Sequence, residues 1–290
     1  MATDTAELLK KVRRIELKTK GLSNQIFSGE YHSAFKGRGM AFSEVREYAV
    51  GDEVRTIDWN VTARFGHPYV KIFEEERELT VILVVDVSAS DSFGTTAQIK
   101  KSLITEICAV LAFSAITNND KIGVIFFSNK VEKFISPKKG KSHILRIIRE
   151  LIEFKPEEQG TNISEALRYL NNVVKKRSIA FLISDFMDKD YEDSLKLANR
   201  KHDMVALRIH DRREAEMPNV GMAQFIDPET GESRWVNTAS RKTREAYNQA
   251  ALDRALRADN ALRRAGIDTA AIATDESYIQ PLRNLFSKRS

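Results

Sequence analysis

Between positions 86 and 90 the chain reads D-V-S-A-S, one carboxylate followed by two hydroxyls at alternate positions, Ser88 and Ser90. Asp86, Ser88 and Ser90 are hard oxygen donors within five residues, a set that suits a Mg²⁺-type ion. Two further donors stand in comparable places. Gly160-Thr161 precedes a helical stretch, so the Thr161 hydroxyl can point out of the mouth of a sheet, and Asp185 closes the apolar run from Ile179 to Ser184. Taken singly, Thr161 reads as a helix N-cap and Asp185 as a cap for the turn that follows. Taken together, Asp86, Ser88, Ser90, Thr161 and Asp185 are expected on three neighbouring loops at one end of one sheet. Two carboxylates converging there repel, and a divalent cation removes that cost.

The elements that must hold these residues are readable from the pattern. Val81 to Val85 is a short apolar run ending on Asp86, which predicts a strand buried on both faces, the kind found in parallel sheets covered by helices. A carboxylate at the end of such a strand sits where open α/β sheets bind ligands. Downstream the pattern predicts helix over 94–117, strand over 121–127, and a short antiparallel partner over 131–135 after the Ser128-Asn129 turn. Helices follow over 142–154 and 161–174, the second with Asn162 and Glu165 spaced as a capping box. A strand over 178–184, a weaker helix over 191–200 and a strand over 204–210 come next. A hairpin over 225–236 turns at D-P-E-T-G-E, and helix 240–264, strand 267–273 and helix 278–286 close the chain. Such alternation predicts an α/β fold with a doubly wound, mostly parallel sheet.

The N-terminal part differs. Residues 3–20 read as a helix with a stripe of Leu8, Leu9, Val12, Ile15 and Leu17, which fits either the main body or a partner. Residues 35–70 carry turn glycines at 37, 39 and 51, with charges and aromatics that follow neither a helical nor a strand period. They are expected to form a compact, loop-rich subdomain laced by ion pairs among Arg46, Asp52, Arg55, Asp58 and Arg64; the competing reading is that these charges and Trp59 simply clamp a poorly hydrophobic segment onto the main domain. A short strand is expected over 69–73. The expected division is 1–78 for the N-terminal helix and subdomain and 79–290 for the α/β domain.

At 290 residues with a net charge of +5, the composition by itself makes no case for nucleic acid. No apolar run approaches the roughly 20 residues of a membrane span, and the charged N-terminus lacks a signal-peptide core. The lone cysteine, Cys108, excludes an internal disulfide framework, and the reading is of a cytoplasmic protein. Gly140-Lys141-Ser142 mimics the end of a phosphate-binding loop, but Ile135 stands where that loop's first glycine belongs. Histidines 32, 67, 143, 202 and 210 are scattered and make no zinc pattern. Cys108 falls near the apolar face of its helix and reads as a small core residue. Lysines 130, 133, 138, 139 and 141 form a basic stretch, read as a solvated loop or as a site for an acidic protein surface or anionic lipid.

The five oxygen donors resemble the metal-ion-dependent adhesion site (MIDAS) of von Willebrand factor A-type domains, whose D-x-S-x-S, later Thr and later Asp fall here on Asp86, Ser88, Ser90, Thr161 and Asp185. The segments G-R-G-M-A-F-S-E-V-R-E-Y, G-D-E-V-R-T-I-D-W-N-V-T-A-R, D-P-E-T-G-E and T-D-E-S-Y are similar to a bacterial family of domains of unknown function. Genes of that family commonly lie beside MoxR-type AAA+ ATPases. The resemblance implies a von Willebrand factor A-like fold. It also implies a divalent cation at the five residues, Mg²⁺ first with Mn²⁺ and Ca²⁺ as alternatives. Further, it implies a non-enzymatic protein-interaction module in assembly or maturation of complexes. The expected partner is a MoxR-type ATPase or its client, with an acidic residue completing the metal shell. The alternative is a metal-dependent hydrolase or phosphatase. Against it, the sequence shows no general acid or base beside the ion, and hydroxyl ligands do little to activate a metal-bound water.

Overall fold

The computed structural model describes residues 12–19, 41–74, 79–88, 94–157, 160–226 and 233–289. Contacts divide the chain into two compact units, Lys36–Leu79 and the remainder, in which the N-terminal stretch groups with Thr80–Ser290.

In the smaller unit β1 (Ala41–Glu47) pairs antiparallel with β2 (Tyr69–Glu74), with a register shift between Phe42 and Glu44. Between them, α1 (Trp59–Phe65) is capped by Asp58, whose carboxylate accepts from the Asn60 and Val61 N–H groups, and it ends on Gly66 at φ 72°. The expectation of neither strand nor helix period before Tyr69 is therefore corrected. The shift in β1 breaks the two-residue alternation by which a strand is recognised, and a helix of 7 residues is too short to display a period. The expected ion-pair lacing is present at Arg46, whose guanidinium donates to both oxygens of Asp52 at 2.7 and 2.6 Å. That grip, with the Ala49 N–H, holds the Asp52 carboxyl below its ordinary range. Trp59 is 67% exposed.

The larger unit is built on a six-stranded sheet. Its strands are β3 (Thr80–Asp86), β4 (Lys121–Phe127), β5 (Val131–Lys138), β6 (Ile179–Ser184), β7 (Asp203–His210) and β10 (Asp268–Ala273), in the order β10-β7-β6-β3-β4-β5. All pairings are parallel except β4 with β5. The other strands, β8 (Met222–Ile226) and β9 (Ser233–Asn237), form the expected hairpin, whose turn lies outside the described residues. The helices are α2 (Gly94–Thr117), α3 (Lys141–Glu153), α4 (Ile163–Val173), α5 (Glu192–Lys201), the single turn α6 (Arg212–Ala215), α7 (Arg241–Arg264) and α8 (Ile279–Ser287).

Residues alternate across this sheet as the pleat requires. Ile82, Val84, Ala180, Leu182, Met204 and Ala206 pack with Leu167 of α4, Leu195 of α5 and Ala261 of α7. On the opposite face Phe181 meets Phe286 of α8 edge-on at 6.3 Å, and Phe126 stacks at 4.9 Å on Phe154, which ends α3. The sheet is thus covered on both faces, as the unbroken apolar run of β3 predicts. Val81 to Val85 are fully buried, and each such side chain contributes about 1.5–3 kcal/mol on leaving water. Residues 12–19 are helical, with Val12 and Thr19 buried. Lys18 reaches Glu106 of α2 at 2.6 Å and Glu16 reaches Lys141 of α3 at 2.5 Å. Leu17, expected on the apolar stripe, is exposed instead; the rest of the expected N-terminal helix lies outside the described residues.

Two positions make this packing testable. A Cβ on Gly123 would lie 2.9 Å from the Ile135 carbonyl oxygen and 3.0 Å from Pro137, because β5 runs on to Lys138 and crosses β4 closely there. Gly123→Ala is expected to destabilise the fold by about 1–3 kcal/mol, read as a lower urea midpoint; an unchanged midpoint would contradict the close approach. His202, fully buried where α5 ends, has its imidazole pushed down to about 4 by burial, aided by Lys201 and Arg177. The unfolded chain therefore binds the extra proton between about pH 6.5 and 4, so stability is complete above that window and falls as pH falls through it. Urea unfolding at pH 7 and pH 4.5 should show His202→Leu losing up to about 2 kcal/mol less than wild type across this range. Equal losses would show that His202 carries none of the acid sensitivity.

Candidate metal centre

The strand order reverses at β3. From β3 the chain runs to β4 and β5 on one side, then returns to lay β6, β7 and β10 on the other. Open α/β sheets form a crevice outside the carboxyl ends of their strands at such a point. Register brings the candidate residues to that level: Asp86 lies opposite Phe127 of β4, and Val85 opposite Ile183 of β6. The Val87 N–H donates to the Phe127 carbonyl at 2.8 Å, carrying the pairing one residue past the strand.

Asp86 is buried, and both of its oxygens are engaged. Oδ1 accepts from the Ser88 N–H at 3.0 Å and Oδ2 from the Ser184 hydroxyl at 2.6 Å. Ser184 in turn accepts the Phe186 N–H at 3.0 Å, so one hydroxyl links β3 to the loop after β6. Burial, and then the charge of Asp185, push the Asp86 carboxyl well above its ordinary range, against the hydrogen bonds from Ser184 and Ser88. Asp185 accepts from the Met187 N–H at 3.1 Å, a local turn contact, and from the Lys100 ammonium at 2.8 Å. Lys100, on α2, is only 2% exposed and also lies 3.4 Å from Glu214 of α6.

The loop that carries Thr161 is tied to both neighbours. The Asn162 N–H donates to the Ser128 carbonyl at the end of β4 at 2.8 Å. The Ile163 N–H donates to Asp188 at 2.7 Å, and the Ser164 hydroxyl to the Asp190 carbonyl at 3.2 Å, both on the loop after β6. Phe186 and Asp190 in that loop have positive φ, 60° and 59°, a conformation that side chains with a Cβ adopt only at a cost. The N-cap of α4 is Asn162, accepting from the Glu165 N–H at 2.9 Å, so the cap role that competes for Thr161 falls to its neighbour.

Asp86, Ser88, Thr161 and Asp185 are thus placed on three loops at one end of the sheet, and Ser90 lies outside the described residues. Three residues of the cluster went unread in the sequence. Ser184 was visible in the S-D pair that closes β6. Lys100 was visible too, as a lysine one turn before Leu103 and Ile104 on the apolar face of α2. Glu214 gave no signal, because a single helical turn has no period. The carboxylates and hydroxyls fit a hard divalent cation in kind, and the buried Asp86 with a second carboxylate beside it leaves a demand for positive charge. Lys100 supplies part of it. Elsewhere, Cys108 is fully buried and burial raises its thiol's pKa, as for a core residue.

Residues 44–257 match the family model described as a protein of unknown function, DUF58. The chain belongs to this family. Uncharacterized proteins of Mycobacterium tuberculosis and Mycobacterium bovis are each 28% identical to this DUF58 chain, over 99% of its length and 91% of theirs. Among solved structures, the conserved hypothetical protein BatB from Bacteroides thetaiotaomicron aligns with a TM-score of 0.44 at 17% identity, covering 73% of this chain and 98% of that one. An aerotolerance-related membrane protein from Bacteroides fragilis aligns at 0.47 and 16%, covering 72% and 99%. Proximal thread matrix protein 1 from the mussel byssus, solved with a zinc-occupied MIDAS motif, aligns at 0.36 and 18%, covering 46% and 38%. Among the described residues of this DUF58 chain, no helix is long and apolar enough to cross a membrane.

The Ser184–Asp86 bond is a side-chain contact that joins β3 to the end of β6. Ser184→Ala is expected to cost about 1.5–3 kcal/mol, the range for a hydrogen bond to a charged group. In an Asp86→Ala background the same change should cost far less, and urea unfolding of the four proteins gives the coupling. Additive losses would mean that the two side chains do not act on each other.

Proposed function

We propose that this DUF58 chain is a metal-dependent protein-interaction module, whose partner is a MoxR-type AAA+ ATPase or a client handled with it. The observation that carries the reading is the buried Asp86 and the Asp185 carboxylate, its side chain 5% exposed, at the mouth of the sheet, with Ser88 beside Asp86. Family membership and the D-x-S-x-S pattern support it; the named partner rests on the family resemblance.

In this reading Asp86, Ser88, Ser90, Thr161 and Asp185 hold the cation, Mg²⁺ before Mn²⁺ or Ca²⁺. A bound divalent cation supplies a positive coordination position for a carboxylate of the partner. The chain's own residues do the rest. Ser88 and Ser184 fix the orientation of Asp86 through its two oxygens. The Asn162–Ser128 and Ile163–Asp188 bonds hold the Thr161 loop against the ends of its neighbours. A charge-assisted bond made in so dry a site would dominate a small interface. The reading is non-enzymatic. Among the donors that meet the two aspartates are the N–H groups of Ser88 and Met187, the Ser184 hydroxyl and the Lys100 ammonium.

The test is a binding titration between the full chain and its purified MoxR-type partner, in Mg²⁺ and in EDTA. Affinity should fall roughly tenfold or more in EDTA, the loss of at least one charge-assisted contact. Thr161→Ala should weaken binding in Mg²⁺ while leaving the urea midpoint near that of wild type. Equal affinity in the two buffers would overturn the metal-bridged mechanism.

A further inference from the structure

We infer that Lys100 is a resident cation of the centre, which a divalent ion must displace from Asp185, and that this competition sets the divalent affinity. The inference rests on the reading of Asp86 and Asp185 as metal ligands. It adds a residue that no adhesion-site pattern contains.

Three observations carry it. Lys100 is the only lysine among the buried polar and charged side chains of the described residues. Burying an ammonium is costly unless it is paired, and its 2.8 Å contact with Asp185 is such a pairing. The carboxylate it meets is one of the two candidate anionic ligands, so the ammonium and a divalent ion compete for Asp185. Finally, Glu214 lies 3.4 Å from the same nitrogen and is itself 34% exposed. The ammonium therefore has a second carboxylate beside the first, nearer to water, toward which it can shift when Asp185 is taken.

The consequences differ from those of a lysine that merely positions Asp185. A positioning lysine, once removed, would leave Asp185 misplaced and divalent binding weaker. A competing lysine, once removed, takes a positive charge from beside Asp185. The metal-free protein then loses stability, and divalent binding tightens because a like charge has gone. Wild type is stable without metal and binds it weakly; the variant depends on metal and binds it well.

The experiment uses the full chain with Mn²⁺ as probe. Calorimetric titration gives the affinity, and thermal unfolding in EDTA and in saturating Mn²⁺ gives the stability difference. Lys100→Met keeps the length and the apolar stem. It is expected to lower Tm in EDTA, to raise Mn²⁺ affinity roughly tenfold or more, and to enlarge the Mn²⁺-induced rise in Tm. Lys100→Arg, which keeps the charge, should hold Mn²⁺ affinity near wild type. Glu214→Gln, at a half-exposed position where folding is not at stake, should weaken Mn²⁺ binding by removing the ammonium's second seat. Mn²⁺ bound equally or less tightly by Lys100→Met than by wild type overturns the competition while leaving the metal centre standing. Should Lys100→Met fail to fold in EDTA, its recovery by Mn²⁺ supports the competition, and failure to recover overturns it. Absence of Mn²⁺ binding in every variant overturns the centre itself and the competition with it.

Discussion

A buried carboxylate with a second one beside it, at the mouth of a sheet, calls for a cation, and much of this molecule answers that constraint. Asp86 ends the buried strand β3 and Asp185 follows its neighbour β6. Burial, and then the charge of Asp185, raise the cost of ionising Asp86. The remedies come from distant parts of the chain: a hydroxyl from the end of β6, an ammonium from α2 and a carboxylate from α6 that steadies the ammonium. The early part of α2 must therefore lie close to the crevice. A buried ion pair of this kind is weak evidence for stability, since desolvation offsets most of its attraction. Its presence at a ligand-binding position of the fold speaks more for a role in the site than for holding the fold together.

The sheet was legible because its central strands are buried on both faces. A strand such as β3 or β6 has no solvent face to dilute its apolar run, so its start and its polar stop are visible in one dimension. The same holds for the hairpin, where turn chemistry fills the gap between β8 and β9. What was not legible depends on pairing across the chain. β1 takes its extended form from β2, about 30 residues away, and carries a shift that hides its alternation. β5 runs beyond Ile135 because β4 continues to accept it, although Pro137 argues locally against a strand. The candidate ligands were legible as a pattern of oxygens at strand ends. Their counter-charge was not, because a lysine on an apolar face is usually read as a surface residue whose head reaches water. Only the fold shows that Lys100 has no such route.

Membership in DUF58 extends the argument past the sheet. The matched residues begin in β1 and end within α7. They therefore take in the smaller unit, the crevice and the hairpin together. The smaller unit is held by polar means, the paired guanidinium of Arg46 and the capping carboxylate of Asp58. It leaves Val50, Val54, Trp59 and Phe65 exposed within its 44 residues. Among the described residues of this unit Val70 is the buried apolar side chain, in contrast with the dry core around Asp86.

The close crossing of β4 and β5 at Gly123 has a further consequence for the molecule among its own copies. β5 is the outer strand on its side of the sheet, and a bare outer strand is a template on which another chain can add. Pro137 offers no N–H to such an addition, the register slips between Ile122 and Val124 and again between Phe126 and Phe127, and Lys133 and Lys138 set charge along the strand. The irregularities that bring Pro137 against Gly123 also spoil the regular ladder that an incoming strand would need. Such distortions are among the devices by which outer strands resist the addition of another strand, and here they disfavour growth of the sheet along β5.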